Sequence, residues 1–475
     1  MQNKSLAQIQ TALRNGSLTC EKIIQYYLSN IQATKDLNAY VEVYDQEALE
    51  EARSLDIKIK ESPESLGKLF GCVVSIKDLI VYKDHKVSAG SKILDGFVSQ
   101  FSATAVDLLV KEDAIIIGRT NCDEFGMGSA NINSYFGPVK NASDDTRISG
   151  GSSGGAAVSV QTDTCLVALG TDTGGSVRQP ASMCGVIGFK PSYGMVSRHG
   201  LVAYASSFDQ LGLLAHHISD LDIVMSVVSM TDEYDATMFQ KDLYRDQISP
   251  KKEISDYSFA YLGDAIDSEA LGTDIQKSIL SYIDKLQSSG AQVDKIAFPL
   301  LDYLVPTYYI LTTAEASSNL SRYDGVRYGH RTTDANSLEE MYVNSRTEGF
   351  GDEVKKRIML GSFVLSEAYY DTYFTKAQQI RSMIKQQIQD IFRQYDFIIL
   401  PTSPKVAWPI DKIPTDPLEI YLSDIYTVLA NLAGIPAISI PLGKDTSGLP
   451  YGIQIMGDVK ADKKLIEFAQ NNNLA

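Results

Sequence analysis

The apolar run TCLVALG (164–170) leads straight into GTDTGGSVR (170–178), and this junction constrains the chain more than any other feature. A continuous apolar run of that length reads as a strand buried on both faces, which places it inside an α/β sheet. The strand ends at Gly174 and Gly175, which reach backbone conformations closed to other residues. The N–H groups of Thr173, Gly174, Gly175 and Ser176 can then converge on one point, as an oxyanion hole for a tetrahedral acyl intermediate requires. Ser176 stands beside that point, where a nucleophile belongs. A second glycine-serine cluster, SGGSSGG (149–155), lies upstream.

Three other readings of these clusters are disfavoured. A phosphate-binding loop needs Lys and then Ser or Thr after its last glycine, whereas Gly155 is followed by Ala156 and Ala157. Gly150–Gly154 matches G-x-S-x-G, but that elbow must follow a strand, and KNASDDTRIS before it is polar and turn-forming. A merely flexible Gly/Ser loop does not explain two such clusters, one of them directly after an apolar strand.

A serine nucleophile needs a base. None of the five histidines (His85, His199, His216, His217, His330) lies in an acyl-transfer motif. Lys77 closes the apolar run LFGCVVSI (69–76). Desolvation there lowers an amine's pKa and lets it act as a neutral base. The competing readings are an ion pair with Asp78 or a lysine reaching out to solvent. Ser152 can relay a proton between Lys77 and Ser176.

The rest of the chain reads as one α/β domain over residues 1–475. Residues 1–60 are expected to form a helical segment, with Leu6, Ile9 and Leu13 on one face. A second helix there is capped by Thr19 and buries Ile23, Ile24, Tyr27 and Ile31. ATAVDLLVKED (103–113) and TDIQKSILSYIDKLQSSG (273–290) read as helices. AIIIG (114–118), DFIIL (396–400), AISIP (437–441) and GIQIM (452–456) read as strands. Residues 240–395 read as a mostly helical excursion.

Composition narrows the function. The formal net charge of −16 repels phosphate backbones and argues against unaided nucleic-acid binding. Five scattered cysteines without a C-x-x-C pair point to reduced thiols and a cytoplasmic protein, and against a metal site. The start MQNKSLAQIQTALRNGS has no apolar core of a signal peptide, and no apolar run is long enough to span a membrane.

SIKD, GGSSGG and GTDTGGSVRQPASMCGVIGFKPSYG, in that order and spacing, strongly resemble the amidase signature family over residues 70–215. The resemblance implies a central mixed sheet covered by helices. It also implies Ser176 as the acylated nucleophile, Ser152 as the bridging serine on a cis peptide bond, and Lys77 as the base. DEFGMGSANINSYFGPVKN (123–141), EASSNLSRYDGVRYGHR (315–331), RTEGFGDEVKKRIMLGSF (346–363) and NLAGIPAISIPLG (431–443) extend it. These segments resemble the family of glutamyl-tRNA(Gln) amidotransferase A subunits over nearly the whole chain.

That narrower resemblance implies glutamine hydrolysis and delivery of ammonia to a partner, which uses it on Glu-tRNA(Gln) or Asp-tRNA(Asn). The B and C subunits of a heterotrimer are the implied partners. tRNA is then held mainly by the B subunit, with ATP and Mg²⁺ on the partner rather than on this chain. The resemblance assigns Arg357 to the α-carboxylate of glutamine, Asp424 to the α-amino group, and Tyr308, next to Tyr309, to the same pocket with Gly128 and Ser129. A zwitterion needs one cation and one anion, and arginine offers a bidentate fork to a carboxylate. The chain departs from the family at Ile148-Ser149, where Val-Pro is usual, and at GLLAHHISD (212–220), where Gly-Pro is usual. A stand-alone amidase acting on small or fatty amides is the alternative within the family. A phosphate- or nucleotide-binding module is the alternative outside it.

Overall fold

The computed structural model describes residues 2–240, 242–246, 252–412 and 417–472. The parts of the expected segments at 1, 241, 247–251 and 473–475 lie outside the described residues. Among the described residues the strands are β1 (Tyr40–Val43), β2 (Val73–Lys77), β3 (Ile115–Thr120), β4 (Lys140–Asn141), β5 (Asp144–Ile148), β6 (Val167–Thr171), β7 (Ile187–Lys190), β8 (Leu211–Ala215), β9 (Ser258–Leu262), β10 (Gln292–Ile296), β11 (Phe397–Pro401), β12 (Ala437–Lys444) and β13 (Pro450–Gly457). All but β4 and β5 join one mixed sheet in the order β1-β3-β2-β6-β8-β7-β12-β13-β11-β9-β10.

β2 runs parallel to both β3 and β6, with Ile76 opposite Leu169. Their carboxyl ends therefore lie side by side, and such ends are where open α/β sheets build sites. β2 and β6 are buried along their whole length, which explains why both read as unbroken apolar runs. The helix Gly154–Gln161 packs on β2 and β6, and the helix Arg178–Cys184 on β7, β12 and β13. The two glycine-serine clusters thus enter helices that lie on the sheet.

The amino-terminal helices form as their signals require. Ser5 and Gln8 close a reciprocal capping box before Leu6–Arg14, and Thr19 accepts the Lys22 N–H ahead of Cys20–Ala33. The same region also holds β1, paired antiparallel to β3, which the helical reading of 1–60 did not include. Residues 240–395 likewise contain β9 and β10 at the far edge of the sheet. β10 is only partly buried and shows no apolar run, whereas β9 is mostly buried and carries only the short run FAYL (259–262). KNASDDTRIS is not a plain turn: β4 and β5 form a small antiparallel ribbon there, apart from the main sheet. SGGSSGG therefore does follow a strand, and the ground given above for dismissing the elbow does not hold.

Candidate active site

Lys77 ends β2 with no exposed surface. Its amine donates to Ser152 Oγ at 2.7 Å, Thr171 Oγ1 at 2.8 Å and Ser153 Oγ at 2.9 Å. Burial pushes the amine down to about 8, while the carboxylates of Asp123, Asp172 and Asp209 pull it back up. Neither competing reading survives. Asp78 pairs with Arg119 and accepts N–H groups from Ser88 and Gly90, and Lys77 does not reach solvent.

The hydroxyl of Ser153 donates to the Thr171 carbonyl at 3.1 Å, so toward Lys77 it can only accept. A neutral Lys77 has two N–H donors and one lone pair. With one donor held by Ser153, the lone pair faces the hydroxyl of either Ser152 or Thr171. Ser152 follows a cis peptide bond, Gly151-Ser152. The Ser153 N–H donates to the Ser176 carbonyl at 3.0 Å, which fastens one serine cluster to the other.

The loop carrying Ser176 is held from beneath by an ion pair that sequence reasoning missed. Asp172 and Arg178, both fully buried, meet at 2.9 Å. Asp172 also accepts the N–H groups of Gly175 and Val177 and the amide of Asn431. Burial pushes the Asp172 carboxyl up, but Arg178, Lys190 and Asn431 hold it down at about 2. Of the four amides expected to converge, that of Gly175 is thus committed to Asp172. Those of Thr173, Gly174 and Ser176 have no protein acceptor among the described residues.

Gly175 sits at φ +129°, and a Cβ there would strike the Thr427 hydroxyl, which itself donates to the Gly174 carbonyl at 2.7 Å. A Cβ on Gly174 would meet the ring of Tyr308.

Across this loop stand the residues assigned to a zwitterion. Asp424 Oδ2 accepts from Ser129 at 2.6 Å and from Tyr309 at 3.3 Å. The Arg357 guanidinium lies 5.1 Å from the centre of the Tyr309 ring. The structure therefore uses both neighbouring tyrosines, Tyr308 against Gly174 and Tyr309 between Arg357 and Asp424. Gly128 lies against the Asp123 carboxylate, where a Cβ would collide. Burial raises the Asp424 carboxyl to about 7 against the pull of Ser129 and Arg357. Arg357 stays a cation, since the charges and dipoles of Tyr204, Tyr309 and Glu353 outweigh its burial.

Ser153, Thr171, Asp172, Tyr204 and Glu353 were not singled out from sequence. Ser153 and Thr171 lie inside the motifs already read, so their signal was adjacency. Nothing in the sequence marks Tyr204.

The Amidase family model matches residues 22–466. The chain belongs to the amidase signature family. Its fold agrees, with a mixed sheet flanked by helices as in solved amidase-signature structures. Within the family it is 47% identical to the A subunit of glutamyl-tRNA(Gln) amidotransferase from Chlorobaculum parvum, over 99% of this chain and 98% of that one. The protein of the same name from Chlorobaculum tepidum is 46% identical, with the same coverage.

Among solved structures, the amidase resembles the crystal structure of the A subunit of glutamyl-tRNA(Gln) amidotransferase from Thermotoga maritima. The two superpose with a TM-score of 0.77 and share 38% identity, over 94% of this chain and 90% of that one. A crystal structure titled simply as an amidase matches at a TM-score of 0.83 and 26% identity, over 99% of each chain.

Proposed function

We propose that this amidase is the glutamine-hydrolysing A subunit of a tRNA-dependent amidotransferase. The observation that carries the reading is that Tyr309 meets both Arg357, 5.1 Å from its ring centre, and Asp424, bonded to its hydroxyl, while Tyr308 beside it lies against Gly174 of the Ser176 loop. One buried cation and one buried anion match the carboxylate and ammonium of an amino acid, and a simple amide has neither.

The Lys77–Ser152 hydrogen bond at 2.7 Å supports Lys77 as the base. Neutral Lys77 takes a proton from Ser152, which takes one from Ser176, and Ser176 Oγ bonds to the side-chain amide carbon of glutamine. The oxyanion faces the N–H groups of Thr173, Gly174 and Ser176. Collapse breaks the C–N bond, and the proton on Lys77 returns through Ser152 to the leaving nitrogen, so ammonia departs. Water then adds to the glutamyl ester with Lys77 again as base, the C–Oγ bond to Ser176 breaks, the proton on Lys77 returns through Ser152 to Ser176 Oγ, and glutamate leaves.

Ammonia is used by a partner assembly, the B and C subunits, with tRNA held mainly on the B subunit. Amidation of Glu-tRNA(Gln) or Asp-tRNA(Asn) there draws on ATP and Mg²⁺ bound by the partner. The acidic charge of this chain supports that division of labour. No helix among the described residues is long and apolar enough to cross a membrane, and the five cysteines are free and buried. We place the protein in the cytoplasm.

The test is glutamine hydrolysis by the chain alone and by the reconstituted complex. Stimulation by the partner and by charged tRNA supports the reading. Full-rate hydrolysis of varied simple amides by the lone chain, without preference for glutamine, rejects it.

A further inference from the structure

Tyr204 lies outside every motif considered above, yet it is 2% exposed and sits where two parts of the site meet. Its hydroxyl accepts a hydrogen bond from Arg357 at 2.8 Å and donates to Thr312 Oγ1 at 2.9 Å, which donates in turn to the Tyr308 carbonyl at 2.9 Å. Every hydroxyl in this relay therefore has a defined direction, running from the guanidinium to the helix Leu304–Asn319. On its other side Arg357 donates through Nε to Glu353 at 2.8 Å. With Nε held by Glu353 and one end nitrogen by Tyr204, the remaining N–H groups of the fork are left for a ligand.

The backbone of Tyr204 is fastened as firmly as its side chain. The Tyr204 and Ala205 N–H groups donate to Asp209 Oδ2 at 2.9 and 3.1 Å. The other oxygen of Asp209 accepts the Thr173 hydroxyl at 2.7 Å. Asp209 thus joins the segment bearing Tyr204 to the loop that carries Ser176. A guanidinium on a flexible stem binds a carboxylate well only when its plane is fixed beforehand, because otherwise the ordering cost falls on binding.

We propose that Tyr204 is a positioning residue that orients Arg357 for the carboxylate of the substrate, with Asp209 registering that clamp to the nucleophile loop. This rests on the glutamine reading above and assigns the residue that sets its carboxylate specificity.

The experiment compares Tyr204→Phe with wild type in the assembled complex. Two substrates are used: glutamine, and a γ-amide of the same length lacking the α-carboxylate. The phenyl ring keeps the packing, and a melting curve confirms the fold. The expected result is a rise in KM for glutamine of about tenfold or more, the scale of a lost hydrogen bond to a charged group. Turnover should change little, and neither constant should change for the substrate without the carboxylate. In an Arg357→Ala background the same substitution should add nothing. Equal losses on both substrates, or a further loss without Arg357, would show a general structural role and overturn the proposal. A wild type that prefers glutamine, with a Tyr204→Phe variant that keeps that preference, overturns this proposal alone. A wild type that shows no preference for the carboxylate overturns the glutamine reading and this proposal with it.

Discussion

Lys77 and Asp78 are neighbours in the chain but belong to separate networks. The Lys77 amine faces the hydroxyls of Ser152, Ser153 and Thr171, while the Asp78 carboxylate pairs with Arg119 and holds the Ser88–Gly90 turn. Lys77 is the last residue of β2 and Asp78 the first of the turn that follows, so the chain changes direction between these two charges. Lys77 is thereby left without an ion-pair partner among the described residues, and its amine stays low enough to lose a proton.

The first prediction concerns pH. With the amine held at about 8, the fraction of neutral Lys77 rises as pH rises through about 8. Turnover should climb over the same window and level above it. Lys77→Ala should cost roughly 10²–10⁴-fold or more. Lys77→Arg should not restore activity, because a guanidinium does not deprotonate there. A pH-rate profile that is flat between pH 6 and 9 would remove Lys77 from the role.

The second concerns the nucleophile. An amide-directed covalent inhibitor should leave its adduct on Ser176, and Ser176→Ala should be inactive with an unchanged melting temperature. Ser152→Ala should lose turnover while Ser176 still labels slowly. Peptide mass spectrometry that finds the adduct on Ser152 or Ser153 would reverse the assignment.

The third concerns glutamine affinity. The Asp424 carboxyl sits at about 7, and only its ionised form pairs with an ammonium. KM for glutamine should therefore rise as pH falls below about 7, approaching about tenfold per pH unit. Asp424→Asn should raise KM and flatten this dependence. Free ammonia should still support amidation by the complex, since that route bypasses the pocket. Equal loss of the ammonia and glutamine reactions would make Asp424 structural.

A fourth prediction addresses stability. Removing one partner of a buried ion pair leaves a charge uncompensated, so Arg178→Met should destabilise by about 3–5 kcal/mol in denaturant unfolding. Asp172 is held at about 2, below the ordinary carboxylate value, so its contribution is present at neutral pH and is lost as pH falls toward about 2. Without Arg178 that carboxyl moves up, and acid unfolding should begin at higher pH. Wild-type-like stability across pH 3–7 would show that the remaining donors suffice.

The sequence by itself determined the class of fold and named the groups of the candidate site. β2 and β6 are buried on both faces and so read as apolar runs, and the glycines after β6 left few readings for Ser176. The edge elements were not legible. β1 and β10 are only partly buried, β9 offers an apolar run of just FAYL (259–262), and the β4–β5 ribbon is polar because it leaves the main sheet. The resemblance named Arg357 and Asp424, but only the tertiary structure placed Tyr309 between them. Asp172 and Arg178 lie inside GTDTGGSVR, but their pairing became visible only there, as did Tyr204 and Asp209, whose partners Thr312, Arg357 and Thr173 lie tens to hundreds of residues away. A motif records which groups the chemistry needs. The hydrogen bonds that hold those groups still depend on which distant segments the fold brings together, and no local spacing carries that information.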